Sequence, residues 1–471
     1  MRRLLVFLLA CLIIGGALLT PSYLRYRNTR GAVPPGVRVG GLGFGSADEP
    51  AVAAALNRQF AEPISVYYAD QRILLRPAML GFEVDAPAIL AEARALETPD
   101  HLLRVWLADA LHRPPVAVDV PLRYKLDREK LDGWLTDLAA RLDRAPVPAQ
   151  ALPARGMIAP GQSGRQLDVL ASRDRIITAL SDPHTRTVNL VVRETAPPPV
   201  NMRLLTELLQ ARLAQFPGVA GLFVQHIPTG DEVAINADVA YSAMGTMKLV
   251  ILQEALRTLE TAPDSHTGLL ISQTVSLAGV GAANELLALM GNDDAAAGVA
   301  ALNRSLRKLG LQNTFMAAPF DQPGPRVSTP ANSRTDITTR PDPFIQTTPR
   351  EMGMVMQMLV ECSRGGGTLL AAYRDSITQT ECQQLLKYLS LNPVTDLIVS
   401  GLPRGTQAVH RHGYTSEAEG DVAAIWGPAG PYVLSIYLYR ASWLEWSFAS
   451  ETMGDLSKIV WDYFALANPQ Q

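Results

Sequence analysis

The feature that most constrains this chain is its start. From Leu4 to Leu24 no residue carries a charge, while Arg2 and Arg3 precede the run and Arg25, Arg27 and Arg30 close it. At 1.5 Å of rise per residue such a segment is long enough, as a helix, to cross a hydrocarbon core of ~30 Å. It therefore reads as a signal anchor or a signal peptide. No small-x-small cleavage site follows it, so residues 1–27 are expected to stay as a transmembrane helix, single-pass in the cell membrane, with the folded part extracytoplasmic. Secretion after signal cleavage is the alternative. Arginines at both ends leave the charge bias without a preferred direction.

The remainder has the composition of a folded protein, 48% hydrophobic and 18% charged, and its 471 residues suffice for two or three domains. The net charge of -3, with basic residues scattered, offers no stripe that could neutralise a phosphate backbone, so nucleic acid is not an expected partner. Of three cysteines, Cys11 sits inside the apolar run as membrane-buried filler. Cys362 and Cys382 lie in one region, and in an oxidising compartment a disulfide between them is expected, a free buried pair being the other reading.

After a short tether containing Pro34 and Pro35, residues 28–200 read as a small α+β region. Ile64–Tyr68 and Ile73–Leu75 are strand-like runs about a polar turn, Ala86–Leu96 has helical spacing, Val116–Val120 is strand-like, and Leu126–Leu142 places Leu131, Trp134, Leu135 and Leu138 on one helical face. A turn at Gln162–Arg165, a helix and a strand at Val188–Val192 follow, and the linker Ala196-Pro-Pro-Pro199 ends the region. Ile158-Ala-Pro-Gly-Gln-Ser-Gly-Arg-Gln-Leu-Asp168, together with the opening Pro35-Gly36-Val-Arg-Val-Gly-Gly41, resembles a peptidoglycan-binding domain found beside wall-active enzymes. The resemblance implies peptidoglycan as a partner; a ligand-free spacer remains the other reading.

From Met202 onward the pattern changes. Leu204–Leu213 is an amphipathic helix, Gly221–Ile227 and Asp231–Ile235 form a hairpin, and Tyr241–Leu252 opens an apolar helix that contains one lysine, Lys248. Later come the helix start Thr347-Thr-Pro349, the strands Asp421–Trp426 and Tyr432–Tyr439, and a closing helix over Gly454–Ala467. In order and spacing residues 201–471 resemble the class A β-lactamases and related penicillin-binding enzymes. The resemblance implies an α+β fold: an antiparallel sheet with helices and an inserted helical lobe.

For activity the same resemblance points the other way. Those enzymes place a nucleophilic serine three residues before a lysine, one helical turn away, where the amine helps to activate the hydroxyl. Lys248 matches the lysine, but the serine position is Gly245. Thr246 points roughly 160° away from Lys248 around a helix, and Ser242 is too far back. A Ser-x-Asn motif is represented by Ala282-Ala283-Asn284, which keeps the asparagine and loses the relay serine at Ala282. The general-base glutamate has no counterpart between Asn313 and Thr348, where Asp321, Asp336 and Asp342 are the only carboxylates and read as solvated loop residues. The Lys-Thr-Gly motif corresponds to Arg411-His412-Gly413; the cation survives, and a guanidinium suits a carboxylate. His410 and His412 alternate on a strand, but no further ligand accompanies them and no metal or cofactor is expected.

The sequence thus supports a membrane-anchored cell-envelope protein whose β-lactamase-like domain is catalytically degenerate. Asn284, Arg411, His412 and Gly413 are then expected to line a cleft for peptidoglycan or a β-lactam-like ligand. An active serine hydrolase of β-lactams or wall-peptide amides with a non-standard nucleophile is the alternative.

Overall fold

The computed structural model describes residues 20–21, 23–24, 31–34, 36–45, 47–110, 117–259, 263–277 and 279–468. The apolar run Leu4–Leu19 lies outside the described residues. Among the described residues no helix is long and apolar enough to cross a membrane. Two compact units emerge, one ending at Pro197 and the other beginning at Pro198, with one exchange: Pro148–Gly161 goes with the second unit.

In the first unit, Ile64–Tyr68 and Gln71–Leu75 form the expected hairpin, and Thr187–Asn189 joins it in parallel. The expected strand at Val188–Val192 is in fact two: Val192–Thr195 turns away to pair with Gly164–Leu167. Helices begin where an aspartate can accept a free backbone N–H of the first turn. Asp48 takes Ala51, Asp127 takes Lys130, and Asp168 takes Ala171. Asp168, at the end of the peptidoglycan-binding resemblance, is therefore a helix cap that also binds Arg193 at 2.6 Å. Phe60, Ile64, Ile89, Leu131, Leu135 and Ile176 are central to this unit's core.

The second unit is built on a five-stranded antiparallel sheet. Its elements are α1 (Met202–Leu213), β1 (Val219–His226), β2 (Glu232–Ile235), α2 (Met247–Thr258), α3 (Ser265–Ser276), α4 (Gly281–Met290), α5 (Ala295–Lys308), α6 (Pro349–Ser363), α7 (Gln379–Leu389), β3 (Ala408–Tyr414), β4 (Ala418–Gly427), β5 (Gly430–Tyr439) and α8 (Trp446–Leu466). The strand order is β2-β1-β5-β4-β3. The central strands β4 and β5 are buried almost throughout because helices cover both faces, and β4 carries two buried carboxyls, Glu419 and Asp421. Along β5, Tyr432, Leu434, Ile436 and Leu438 belong to the core under α1 and α8, whereas Val433, Tyr437 and Tyr439 belong to the core under α6 and the helical lobe. The hairpin Gln150–Leu152/Met157–Ala159 adds Ala149 and Ile158 to the α1–α8 core, which is why it leaves the first unit.

The remaining landmarks follow the sequence closely. α6 starts with Thr348 as cap and Pro349 in its first turn, and the buried Glu351 accepts hydrogen bonds from Gln312, Asn313 and Thr314. α8 begins earlier than expected, at Trp446. Cys362 and Cys382 form a disulfide between α6 and α7, with Cα atoms 5.9 Å apart.

Candidate active site

α2 is buried from Met247 to Leu256, and a 3-10 turn, Met244–Thr246, leads the chain into it from the sheet. At Met244 the backbone is left-handed, φ +51°, a costly conformation for a residue with a Cβ. The next residue is Gly245, and one turn on stands Lys248. The 3-10 turn and the first turn of α2 form one wall of a cleft of about 590 Å³. The adjoining wall is the end of β3 and the residue after it, Arg411 to Thr415, and Phe320, Asp321, Asp342 and Phe344 complete the lining.

Gly245 and β3 approach as closely as backbones allow. A Cβ on Gly245 would lie 2.6 Å from the His412 carbonyl oxygen and 3.1 Å from Gly413 Cα, and one on Gly413 would lie 2.2 Å from the Gly245 nitrogen. Each glycine is required by the other. Neighbouring hydroxyls are committed elsewhere. Thr246 is buried, bonded to the Ala243 carbonyl and, at 2.6 Å, to the Tyr437 hydroxyl, so it points into the core. Ser242 does line the cleft, where its Oγ accepts the Asp342 N–H at 2.8 Å.

Three basic groups converge here. Lys248 is 1% exposed, and its ammonium donates to the carbonyls of Leu277, at 3.0 Å, and Gly279, at 2.7 Å. Burial, with Arg411 adding repulsion, brings its pKa down to about 8. Arg411 is 3% exposed and donates through Nε to the Gly245 carbonyl, at 3.1 Å, and through Nη1 to Val275, at 2.7 Å. Burial lowers it to about 10. Two of its donors thus staple β3 to the helical lobe, a structural duty that the expectation of a carboxylate fork did not include. His412 faces the cleft beside Trp446 and is pushed down to about 4, chiefly by burial, so it is neutral at physiological pH.

Asn284 departs from expectation. Its amide clasps the backbone of Phe320 in both directions, accepting the N–H at 2.9 Å and donating to the carbonyl at 3.1 Å, and it does not line the cleft. It positions the rim rather than facing a ligand. Ala282 is likewise absent from the wall, while Val280 is part of it. The aspartates diverge too. Asp336 is an exposed partner of Arg334, whereas Asp321 and Asp342 reach the rim. His410 is occupied by Asp421, at 3.0 Å, and by the Val394 carbonyl, at 2.9 Å. Among the described residues no group of three or more His, Cys, Asp or Glu side chains is placed to hold a metal.

Residues 204–464 match the family model described as the beta-lactamase enzyme family, more than half of the chain. The chain belongs to that family. Upstream, residues 74–189 match the model of a peptidoglycan binding domain, a family whose name is itself a proposal about binding. Solved structures similar to this β-lactamase-family chain include an ancestral class A β-lactamase, at 21% identity, 54% of this chain, 98% of that chain and a TM-score of 0.42. Others are a β-lactamase from Xanthomonas campestris, at 21%, 55%, 98% and 0.42, and one from Desulfarculus baarsii, at 21%, 56%, 98% and 0.43. No curated protein matches the chain. A β-lactamase-family domain beside a peptidoglycan-binding domain indicates a function related to the cell wall.

Proposed function

We propose that this is a membrane-anchored cell-envelope protein whose β-lactamase-like cleft binds an anionic wall-derived or β-lactam-like ligand without hydrolysing it. The observation that carries the reading is Gly245. Three residues before the buried lysine there is no side chain, and the His412 carbonyl leaves no room for one. Without a hydroxyl on that turn no acyl-enzyme forms there, and Lys248 has nothing to activate on its own face of α2. The cleft nevertheless keeps the means to bind. Lys248 and Arg411 give it positive character, and the left-handed Met244 retains the kind of backbone strain that persists where a site over-determines it.

Two observations support the location. The arginine-flanked apolar run is long enough to anchor the chain, and the Cys362–Cys382 disulfide suits an oxidising compartment outside the cytoplasm. The peptidoglycan-binding domain would then hold the cleft near the wall.

The test is to incubate the full-length protein with benzylpenicillin, following hydrolysis, intact mass and binding heat together. Saturable binding with no turnover and no mass gain is the expected result. Sustained turnover, or a covalent adduct mapping to Ser242, would instead establish the hydrolase reading with a nucleophile displaced from the usual turn.

A further inference from the structure

On the far side of the β3–β4 turn from Gly245 lies a second cavity, of about 500 Å³, lined by Tyr414, Thr415, Ser416, Glu419, Trp443, Leu444 and Trp446. Tyr414 and Thr415 border both cavities. Its walls are fixed. Leu444 N–H donates to the Ser416 carbonyl at 2.8 Å, Ser442 N–H donates to the Glu417 carboxylate at 3.0 Å, and the Trp446 indole donates to Asp396 at 3.1 Å. Trp446 meets Tyr414 edge-on, with ring centroids 5.6 Å apart. Trp443, on the same lining, is 62% exposed.

Glu419 is the anomaly. It is 2% exposed, lies on the cavity wall, and its Oε2 is buried with no hydrogen-bond partner among the described residues. A buried carboxyl without partners is expensive, and such groups are found paired in native proteins. Burial, with Asp421 two residues along β4, pushes it up to about 8, so on its own it is largely protonated at neutral pH and takes its charged form only beside a compensating cation. The lining offers none. It holds one carboxyl, three aromatic side chains, three hydroxyls, one of them that of Tyr414, and a leucine.

We propose that this cavity is a binding site for an aliphatic ammonium, its charge meeting the Glu419 carboxylate and its carbon chain lying against Trp443, Trp446 and Tyr414. The aromatic faces add cation–π attraction to the ion pair. The site stands independently of the function proposed for the main cleft, because it uses neither Gly245 nor Lys248.

Hexylammonium chloride and the neutral 1-hexanol serve as paired probes for the full-length protein, read by isothermal titration and by tryptophan fluorescence. Saturable binding of hexylammonium is expected, weaker by about tenfold or more for 1-hexanol and for Glu419→Gln, and several-fold weaker for Trp443→Ala. Circular dichroism checks that Glu419→Gln folds; should it fail to, the exposed Trp443→Ala and the 1-hexanol comparison decide the matter. Absence of hexylammonium binding, equal binding by Glu419→Gln, or equal affinity for 1-hexanol would each overturn the proposal, the last by reducing the cavity to an apolar cleft.

Discussion

Placing a side chain at position 245 separates geometry from chemistry, because Gly245→Ala and Gly245→Ser add the same Cβ and only the serine adds a hydroxyl. That Cβ would stand 2.6 Å from the His412 oxygen, well inside contact distance. The atom it meets is backbone in a strand paired to β4 from Ala408 to Tyr414, so relief requires the strand or the start of α2 to move. Overpacking of this kind costs about 1–3 kcal/mol. If the movement also breaks the Arg411 Nε bond to the Gly245 carbonyl, a further ~1–3 kcal/mol is lost, since a charged donor is then left buried. Both variants are therefore expected to lose roughly 2–6 kcal/mol, or about 4–24 °C in Tm at roughly 2–4 °C per kcal/mol.

Denaturant titration followed by tryptophan fluorescence is a suitable assay, because Trp426, Trp443, Trp446 and Trp461 all lie in the second unit. Alanine and serine should lose similar stability, and neither should turn over a penicillin. Even with a hydroxyl in place, Ala282 supplies no relay and the loop from Asn313 to Thr348 supplies no glutamate to drive water onto an adduct, so acylation would be slow and deacylation would stall. Wild-type stability in both variants would refute the steric constraint, and turnover by Gly245→Ser would show that the remaining residues of the site suffice for hydrolysis.

Lys248, observed by NMR after isotopic methylation, should titrate near 8; between that value and its unfolded value the unfolded chain binds more protons, so its contribution makes stability rise with pH. A titration at the ordinary lysine value would contradict the burial argument. For His410, burial pushes the pKa down but Asp421 outweighs it, and the net shift is upward. The stabilisation is thus complete below about 6.5 and is lost as pH rises through the folded value, a dependence that Asp421→Asn should flatten in denaturation curves across that range. Cys362→Ser with Cys382→Ser opens a loop with a sequence separation of 20 and should cost about 3 kcal/mol, with unchanged denaturation midpoints as the contrary result. Asn284→Ala should cost about 1–3 kcal/mol and speed hydrogen exchange at Phe320 N–H; lost ligand affinity at full stability would restore it as a ligand residue.

What the sequence made legible was local. Thr348-Pro349 announces a helix start because its cap and first-turn chemistry are contained in adjacent residues. The strands at Asp421–Trp426 and Tyr432–Tyr439 are apolar runs wherever they lie, and a lysine in an apolar helix is conspicuous. What remained hidden depends on partners distant in the chain. Arg411 reads as a free cation until its bonds to Gly245 and Val275 are seen, and Asn284 reads as a cleft residue until Phe320 is found in its amide. Asp321 could have been suspected from the turn Asp321-Gln-Pro-Gly324, but only the fold brings it to the rim with Asp342. The transfer of Pro148–Gly161 to the second unit carries no sequence signal, since Ala149 and Ile158 are too few apolar residues to declare which core they join.

The mutual contact of Gly245 and Gly413 bears on how the cleft came to its present form. A side chain at either position is excluded by the backbone at the other, and Arg411 ties the same strand to the same turn through the Gly245 carbonyl. The absence of a side chain at 245 and the close approach of β3 are therefore one structural fact. A serine can be placed at 245 only if β3 withdraws, and withdrawal loosens a buried guanidinium two of whose donors are placed on backbone oxygens. A substitution at 245 should accordingly couple strongly to one at 411 in a double-mutant cycle, with the combined change costing less than the sum of the two single changes. Strict additivity would mean that the turn and the strand respond independently, and the close approach at Gly245 would then place no constraint on Arg411.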